Sequence, residues 1–280
     1  MRNIFKNTEY QDKIDKDGFV VLPFLNPEEV SQLKSIYESL DASVGEQFYL
    51  SIWSENEKYK GETHNEIVKT IKQKCQNLFD NYKHLVSNFA VKFPGEKSDF
   101  DLHQGINFID ETKGNVSITM WIPLQDVNLD NGNMQVVRGS HKFFKQDVRS
   151  QHYQTPYENI KPYIKDKYVE NLPMKAGEAW IFNHRLLHCS PVNKTNKVRI
   201  ATLNIMVPEE SPVILYYKDS ENVSGKKVEI LEFTEDNYFL QNVQDMSKTP
   251  GIINKGKTEE LHYQISKEEF DELYEKKYHK

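Results

Sequence analysis

Between Val116 and Leu124 the chain alternates strictly: Val116, Ile118, Met120, Ile122 and Leu124 are apolar, with Ser117, Thr119 and Trp121 between them. A period of two puts each set on its own face of a strand, so the segment reads as a half-buried strand whose second face is polar and aromatic. Shorter segments repeat the theme. Phe89–Phe93 is a strand stopped by Pro94-Gly95, and residues 103–109, 134–137, 178–182 and 198–207 continue the series. Short strands joined by loop-rich connections predict a sandwich or jelly roll of antiparallel sheets.

Helical periodicity is confined to the two ends. Asn26-Pro27-Glu28-Glu29 combines an N-cap, a proline at the first helical position and a capping-box glutamate, and Val30, Leu33, Tyr37 and Leu40 then share one face. A second amphipathic helix is predicted from about Asn65 to Leu85, with Ile67, Ile71, Cys75, Leu78 and Tyr82 inward. A third opens at Ser266 with Glu269 as its capping partner and Phe270, Leu273 and Tyr274 on one side. No repeat and no Gly/Ser- or Pro-rich linker divides the chain. The reading is a single domain over 1–280: a helical part over about 1–87, a β core over about 88–207, and an extension over about 208–280 that covers a site.

The 280 residues carry 36 Lys+Arg against 42 Asp+Glu, a net charge of −6, and no basic stripe stands out, which argues against a nucleic-acid partner. No apolar run approaches the ~18 residues of a membrane-spanning helix, and the first twenty residues mix both charge signs without an apolar core segment. Two cysteines, Cys75 and Cys189, make neither a disulfide framework nor a zinc ribbon, so a reducing cytoplasm is the expected location.

Of nine histidines, three lie in suggestive surroundings: His103 in Asp-Leu-His-Gln-Gly-Ile-Asn-Phe, and His184 and His188 in His-Arg-Leu-Leu-His-Cys-Ser-Pro. Alone, each is more often structural than a ligand. Their order along the chain resembles that of the phytanoyl-CoA dioxygenase family of Fe(II)/2-oxoglutarate oxygenases. The matching motifs are Asp17-Gly18-Phe19-Val20-Val21-Leu22 before a helix, Lys92-Phe93-Pro94-Gly95 ahead of His103-Gln104, and the segment Asn131–Lys142, where Arg138 stands in place of the family's proline. His188-Cys189-Ser190 followed eleven residues later by Arg199 completes the set. The resemblance implies a double-stranded β-helix, a cupin-like jelly roll. It also implies Fe(II) held by His103 and His188, and 2-oxoglutarate held by the Arg199 guanidinium fork with Ser190 and Trp121 lining its pocket.

The family's proximal pair is His-x-Asp, and here the third position is Gly105, which offers no ligand. In the iron/2-oxoglutarate halogenases a glycine or alanine at this place leaves room for chloride. The resemblance then implies an enzyme that uses O2, 2-oxoglutarate and chloride or bromide to halogenate an unactivated carbon by radical C–H functionalisation. Two other readings stay open. One is a hydroxylase whose carboxylate comes from Asp101, which at i−2 shares a strand face with His103; Asp110 and Glu111 read as turn residues. The other is an inactive binding member of the family. Asn107, on the same predicted face as His103 and Gly105, and Lys92 are candidate substrate contacts. His184 and His141 read as structural, Cys189 as packing opposite to His188, and Tyr216-Tyr217, Phe233 and Tyr238-Phe239 as a lid or as shell packing. The partner is a small molecule: a free amino acid, nucleotide or other metabolite, or a carrier-tethered group.

Overall fold

The computed structural model describes residues 2–40, 47–218, 224–234 and 251–278. Its elements run α1 (Thr8–Asp17), β1 (Phe19–Pro23), α2 (Pro27–Ser39), β2 (Phe48–Leu50), α3 (Glu57–Leu78), β3 (Tyr82–Lys92), β4 (Phe100–His103), β5 (Ile118–Pro123) and β6 (Met134–Val136). Then follow α4 (Lys161–Lys167), β7 (Glu170–Leu172), β8 (Glu178–Asn183), β9 (His188–Ser190), β10 (Arg199–Pro208), β11 (Val213–Tyr217), β12 (Lys227–Phe233), β13 (Ile252–Glu259) and α5 (Lys267–Tyr278). A six-stranded sheet, β1-β8-β5-β10-β3-β2, and a four-stranded sheet, β4-β9-β6-β7, supply the two walls of a cupin-like jelly roll; every pairing is antiparallel and neither sheet closes on itself. A third sheet, β11-β12-β13, is built by the extension.

The alternation of β5 does what its period requires, but both faces are buried. Ile118, Met120 and Ile122 join the core beneath α1, α2 and α3, together with Leu33, Ile67 and Ile71. Thr119 and Trp121 point the other way and line an internal cavity rather than solvent. The polar-aromatic face is therefore a cavity wall, which explains why it carries a hydroxyl and an indole.

Three predicted boundaries move. The second long helix lies about two turns earlier than its apolar pattern predicts: Asn56 caps it by accepting from the Tyr59 N–H at 3.1 Å, and Asn81, with φ of 56°, turns the chain into β3 at Tyr82. Tyr82 and Leu85 are thus strand residues, and the 87/88 boundary falls inside β3. The helical part also contributes β1 and β2 to the large sheet. Third, the strand predicted over 103–109 ends at His103. The Gly105 N–H donates to the His184 carbonyl at 2.8 Å and the Asn107 N–H to the Arg149 carbonyl at 3.2 Å, which draws the chain out of the small sheet.

The ends behave as their caps predict. Asn26 and Glu29 form a reciprocal capping box, as do Ser266 and Glu269. Helix α5 lays Phe270, fully buried, against Phe143 and Tyr168 on the back of the small sheet. Within the extension, Leu215, Leu231 and Phe233 pack with Val86 and Phe108, whereas Tyr217 and Lys218 border a cavity; Tyr238 and Phe239 lie outside the described residues. Truncating the buried ring in Phe270→Ala should cost about 3–5 kcal/mol of unfolding free energy in a denaturant titration.

Candidate active site

His103 at the end of β4 and His188 at the start of β9 are direct partners across the small sheet, and their ring centroids lie 4.1 Å apart. Each ring is held from behind. His103 Nδ1 lies 2.8 Å from the Asp101 carbonyl and His188 Nδ1 lies 2.9 Å from the Leu186 carbonyl. A carbonyl only accepts, so both Nδ1 atoms carry the proton and both Nε2 atoms keep a free lone pair. Burial pulls the pKa of His103 down to about 4 and that of His188 well below its ordinary value, so both rings are neutral at physiological pH.

His184 lines the same cavity but is used up. Its Nδ1 faces the Ile106 carbonyl at 3.3 Å, and its Nε2 accepts from the Thr119 hydroxyl at 2.6 Å. Its ring also bounds position 105: a Cβ on Gly105 would lie 3.1 Å from His184 Cγ and 3.2 Å from its Nδ1. Contacts that close are rare for a real Cβ, so a side chain at 105 requires the imidazole to give by a few tenths of an ångström.

Among the described residues no third His, Cys, Asp or Glu joins the pair to form a metal-binding group. Asp101, the substitute ligand suggested by strand periodicity, is excluded from that role. A register shift between Phe100 and His103 breaks the i, i+2 relation, and the half-exposed carboxylate is held by Lys161 at 3.2 Å and Lys165 at 3.3 Å. Glu111 is buried, not simply a turn residue, and its two oxygens are taken by Arg149 and Arg185. Burial alone would raise its pKa; the two guanidiniums hold it below the ordinary glutamate range.

The cavity above the pair has a volume of about 420 Å³. Arg199, Ser190 and Trp121 line it with Gly105 and the three histidines, whereas Asn107 and Lys92 do not. Asn107 is fully buried and its amide oxygen accepts from the Arg149 N–H at 2.6 Å. The Lys92 ammonium, also fully buried, donates to the Ser190 and Pro191 carbonyls at 2.9 and 2.6 Å. Both side chains are thus engaged with the wall, and neither lines the cavity. Burial, with Arg199 as a neighbouring cation, pulls the Lys92 pKa down to about 7.

Arg199 is the outlier. Its guanidinium is 1% exposed, lies 5.1 Å from the Trp121 ring centroid, and leaves Nε and Nη1 without any hydrogen-bond partner. Burial without a counter-charge lowers its pKa to about 9, so it is still a cation at neutral pH. A buried unpaired cation is costly, and the arrangement is one that waits for an anion.

The model of the phytanoyl-CoA dioxygenase (PhyH) family matches residues 14–201, more than half of the chain. The chain belongs to that family. No curated protein matches the sequence. Among solved structures, the fold of this PhyH protein is similar to that of the non-heme alpha-ketoglutarate-dependent carbocyclase SnoK from nogalamycin biosynthesis, at 20% identity and a TM-score of 0.55 over 74% of this chain and 86% of that one. It is likewise similar to HygX from Streptomyces hygroscopicus with nickel and 2-oxoglutarate bound, at 15% identity and a TM-score of 0.56 over 73% of this chain and 88% of that one. The PhyH family is one of Fe(II)/2-oxoglutarate-dependent oxygenases, and the donor set fits both groups. Two oriented, neutral imidazole nitrogens suit a divalent iron, and the orphaned guanidinium suits a carboxylate.

Other features of this PhyH chain were invisible in the sequence. Arg138, in the place of the family's proline, pairs with Asp17 at 2.8 Å and Glu170 at 2.9 Å and so ties the Asp17-Gly18 turn to the small sheet. Arg149 donates from Nε to the Gly105 carbonyl at 2.7 Å while Glu111 holds its far end, so a buried ion-pair network fixes the glycine beside the histidines. His141 contacts the Asp15 carbonyl at 3.2 Å, apart from the cavity, and Cys189 packs behind His188 and donates its thiol to Gln135.

Replacing the unpaired cation should separate stability from binding. Arg199→Met is expected to stabilise the ligand-free protein by about 1–4 kcal/mol, read as a higher Tm, and to abolish the Tm rise that 2-oxoglutarate gives the unsubstituted protein. An unchanged 2-oxoglutarate response would remove Arg199 from the anion site.

Proposed function

We propose that this PhyH protein is an Fe(II)/2-oxoglutarate-dependent halogenase that puts chlorine or bromine on an unactivated carbon of a small molecule. The observation that carries the reading is the combination of two oriented histidines with a glycine at 105 and no protein carboxylate beside them among the described residues. When bound, the iron with 2-oxoglutarate and O2 supplies the oxidising power to take a hydrogen atom from a C–H bond.

Charge counting supports a halide. Two neutral imidazoles leave both positive charges of Fe(II) without a protein counter-ion. Of the two carboxylates of 2-oxoglutarate, Arg199 neutralises one, and the other leaves the metal site one positive charge in excess. A monoanion beside Gly105 balances it, as the family's aspartate otherwise would. In this reading His103 and His188 hold the metal, Arg199 fixes the remote carboxylate of 2-oxoglutarate, Trp121 and Ser190 wall the pocket, and Gly105 yields the position. Arg149 and His184 keep the backbone at 105 from shifting, through the 2.7 Å and 2.8 Å hydrogen bonds on either side of that residue.

The test needs no substrate. Under anaerobic conditions the protein with Fe(II) and 2-oxoglutarate should develop a visible charge-transfer band, and added chloride or bromide should shift the band and tighten 2-oxoglutarate binding. A band that ignores halide would sink the halogenase reading. Gly105→Asp alone crowds the His184 ring, so the more informative variant is Gly105→Asp with His184→Ala, which has room for the carboxylate. Its band is expected to form but to be insensitive to halide.

A further inference from the structure

Beyond the chamber that holds the histidines lies a second of about 630 Å³, and the two share Gln151 and an apolar set, Leu50, Trp53, Ile106, Phe108, Leu203 and Ile205, as common walls. On β3, Val86, Asn88 and Ala90 fall on one face by the period of two; Val86 and Asn88 front the outer chamber and Ala90 the inner one. Trp53, 44% exposed, borders both chambers and packs edge-on against Phe48 and Tyr49.

The charges at the outer wall are already spent. Lys218 is the only Lys or Arg among the described lining residues, and no Asp or Glu among them lines the chamber. The Lys218 ammonium is buried in an ion pair with Glu260, a carboxylate that also accepts from the Ser150 N–H at 2.9 Å. Two amides are half satisfied. Asn88 donates to the Leu203 carbonyl at 3.3 Å and Gln151 to the Lys218 carbonyl at 3.0 Å, and the oxygen of each has no partner. An unpaired buried acceptor is relieved by a donor.

We propose that the outer chamber binds the uncharged, largely apolar body of the substrate, that this body is larger than a free amino acid, and that it carries hydroxyl or N–H groups directed at Asn88 and Gln151. The proposal rests on reading the inner chamber as the active site. An amino acid or a nucleotide needs counter-ions for its carboxylate, ammonium or phosphate, and among the described wall residues only the His152 imidazole could supply one, and then only to an anion. The volume lies within the ~300–1,000 Å³ typical of pockets for drug-sized ligands, most of which a free amino acid would leave to water. This replaces the free amino acid and the nucleotide suggested at the sequence level.

The experiment uses the protein with Ni(II) and 2-oxoglutarate present, so that Arg199 is occupied, and Nile red as a neutral fluorescent probe displaced by ligands with one common tail. Decanol should displace the dye at a concentration about tenfold below that of decanoate or decylammonium, and L-leucine and AMP should not displace it. Decanol should also outcompete its methyl ether, which lacks a donor, about tenfold, and Asn88→Leu should erase that preference. Trp53→Ala, at a half-exposed position and checked by circular dichroism for intact folding, should weaken the dye about tenfold. Better displacement by decanoate, decylammonium or AMP, or dye binding indifferent to both substitutions, would overturn the proposal. Halide plays no part in this titration, so its failure is distinct from failure of the halogenase reading, which the charge-transfer band reports.

Discussion

The site is organised around one uncompensated charge. Arg199 comes off the first residue of β10, opposite Lys92 of β3 in the register of the large sheet, so two cations meet at the closed end of the jelly roll. Lys92 is satisfied by two carbonyls, whereas Arg199 keeps two nitrogens without partners. Folding has to bear the desolvation of that guanidinium, and the free energy is recovered only when an anion arrives. Binding and stability are coupled through this one group. A better-packed apolar residue there would make a more stable and useless protein.

The sequence shows the ligand-bearing strands well and their surroundings poorly. His103, His188, Ser190 and Arg199 lie on short strands whose alternation is visible residue by residue, and Trp121 belongs to the most regular strand of all. The failures come where tertiary bonds overrode local pattern. Asn107 kept the right parity for the face of His103, but the strand stops two residues after Asp101, and a buried Arg149 pulls the following segment away. Asp101 failed for the related reason that a register shift intervenes. Helix α3 ends before its apolar pattern does because Asp80-Asn81, a strong turn signal, interrupts a periodicity that continues into β3. Buried ion pairs such as Glu111 with Arg149 and Arg185 leave no local signature, since each partner alone looks like a solvated surface charge.

Histidine tautomers separate the three rings more sharply than proximity does. His103, His184 and His188 all border one cavity, and each gives its Nδ1 proton to a backbone carbonyl. What distinguishes them is the opposite nitrogen. Thr119 sits across from His184 Nε2 and claims its lone pair, whereas the Nε2 atoms of the other two stay free. A hydroxyl on β5, on the polar-aromatic face, thus occupies the His184 nitrogen that the Ile106 carbonyl leaves open.

Gly105 is constrained from two directions that agree. Packing favours glycine because a Cβ would lie 3.1 Å from the His184 ring, which would have to give by a few tenths of an ångström, and the backbone is held because His184 and Arg149 bind its N–H and its carbonyl. Chemistry profits from glycine because an open position beside two neutral imidazoles attracts an anion. The His184 ring is fixed there by Thr119 and the Ile106 carbonyl. A side chain at 105 therefore meets the His184 ring first, so residues 105 and 184 vary freely only as a pair.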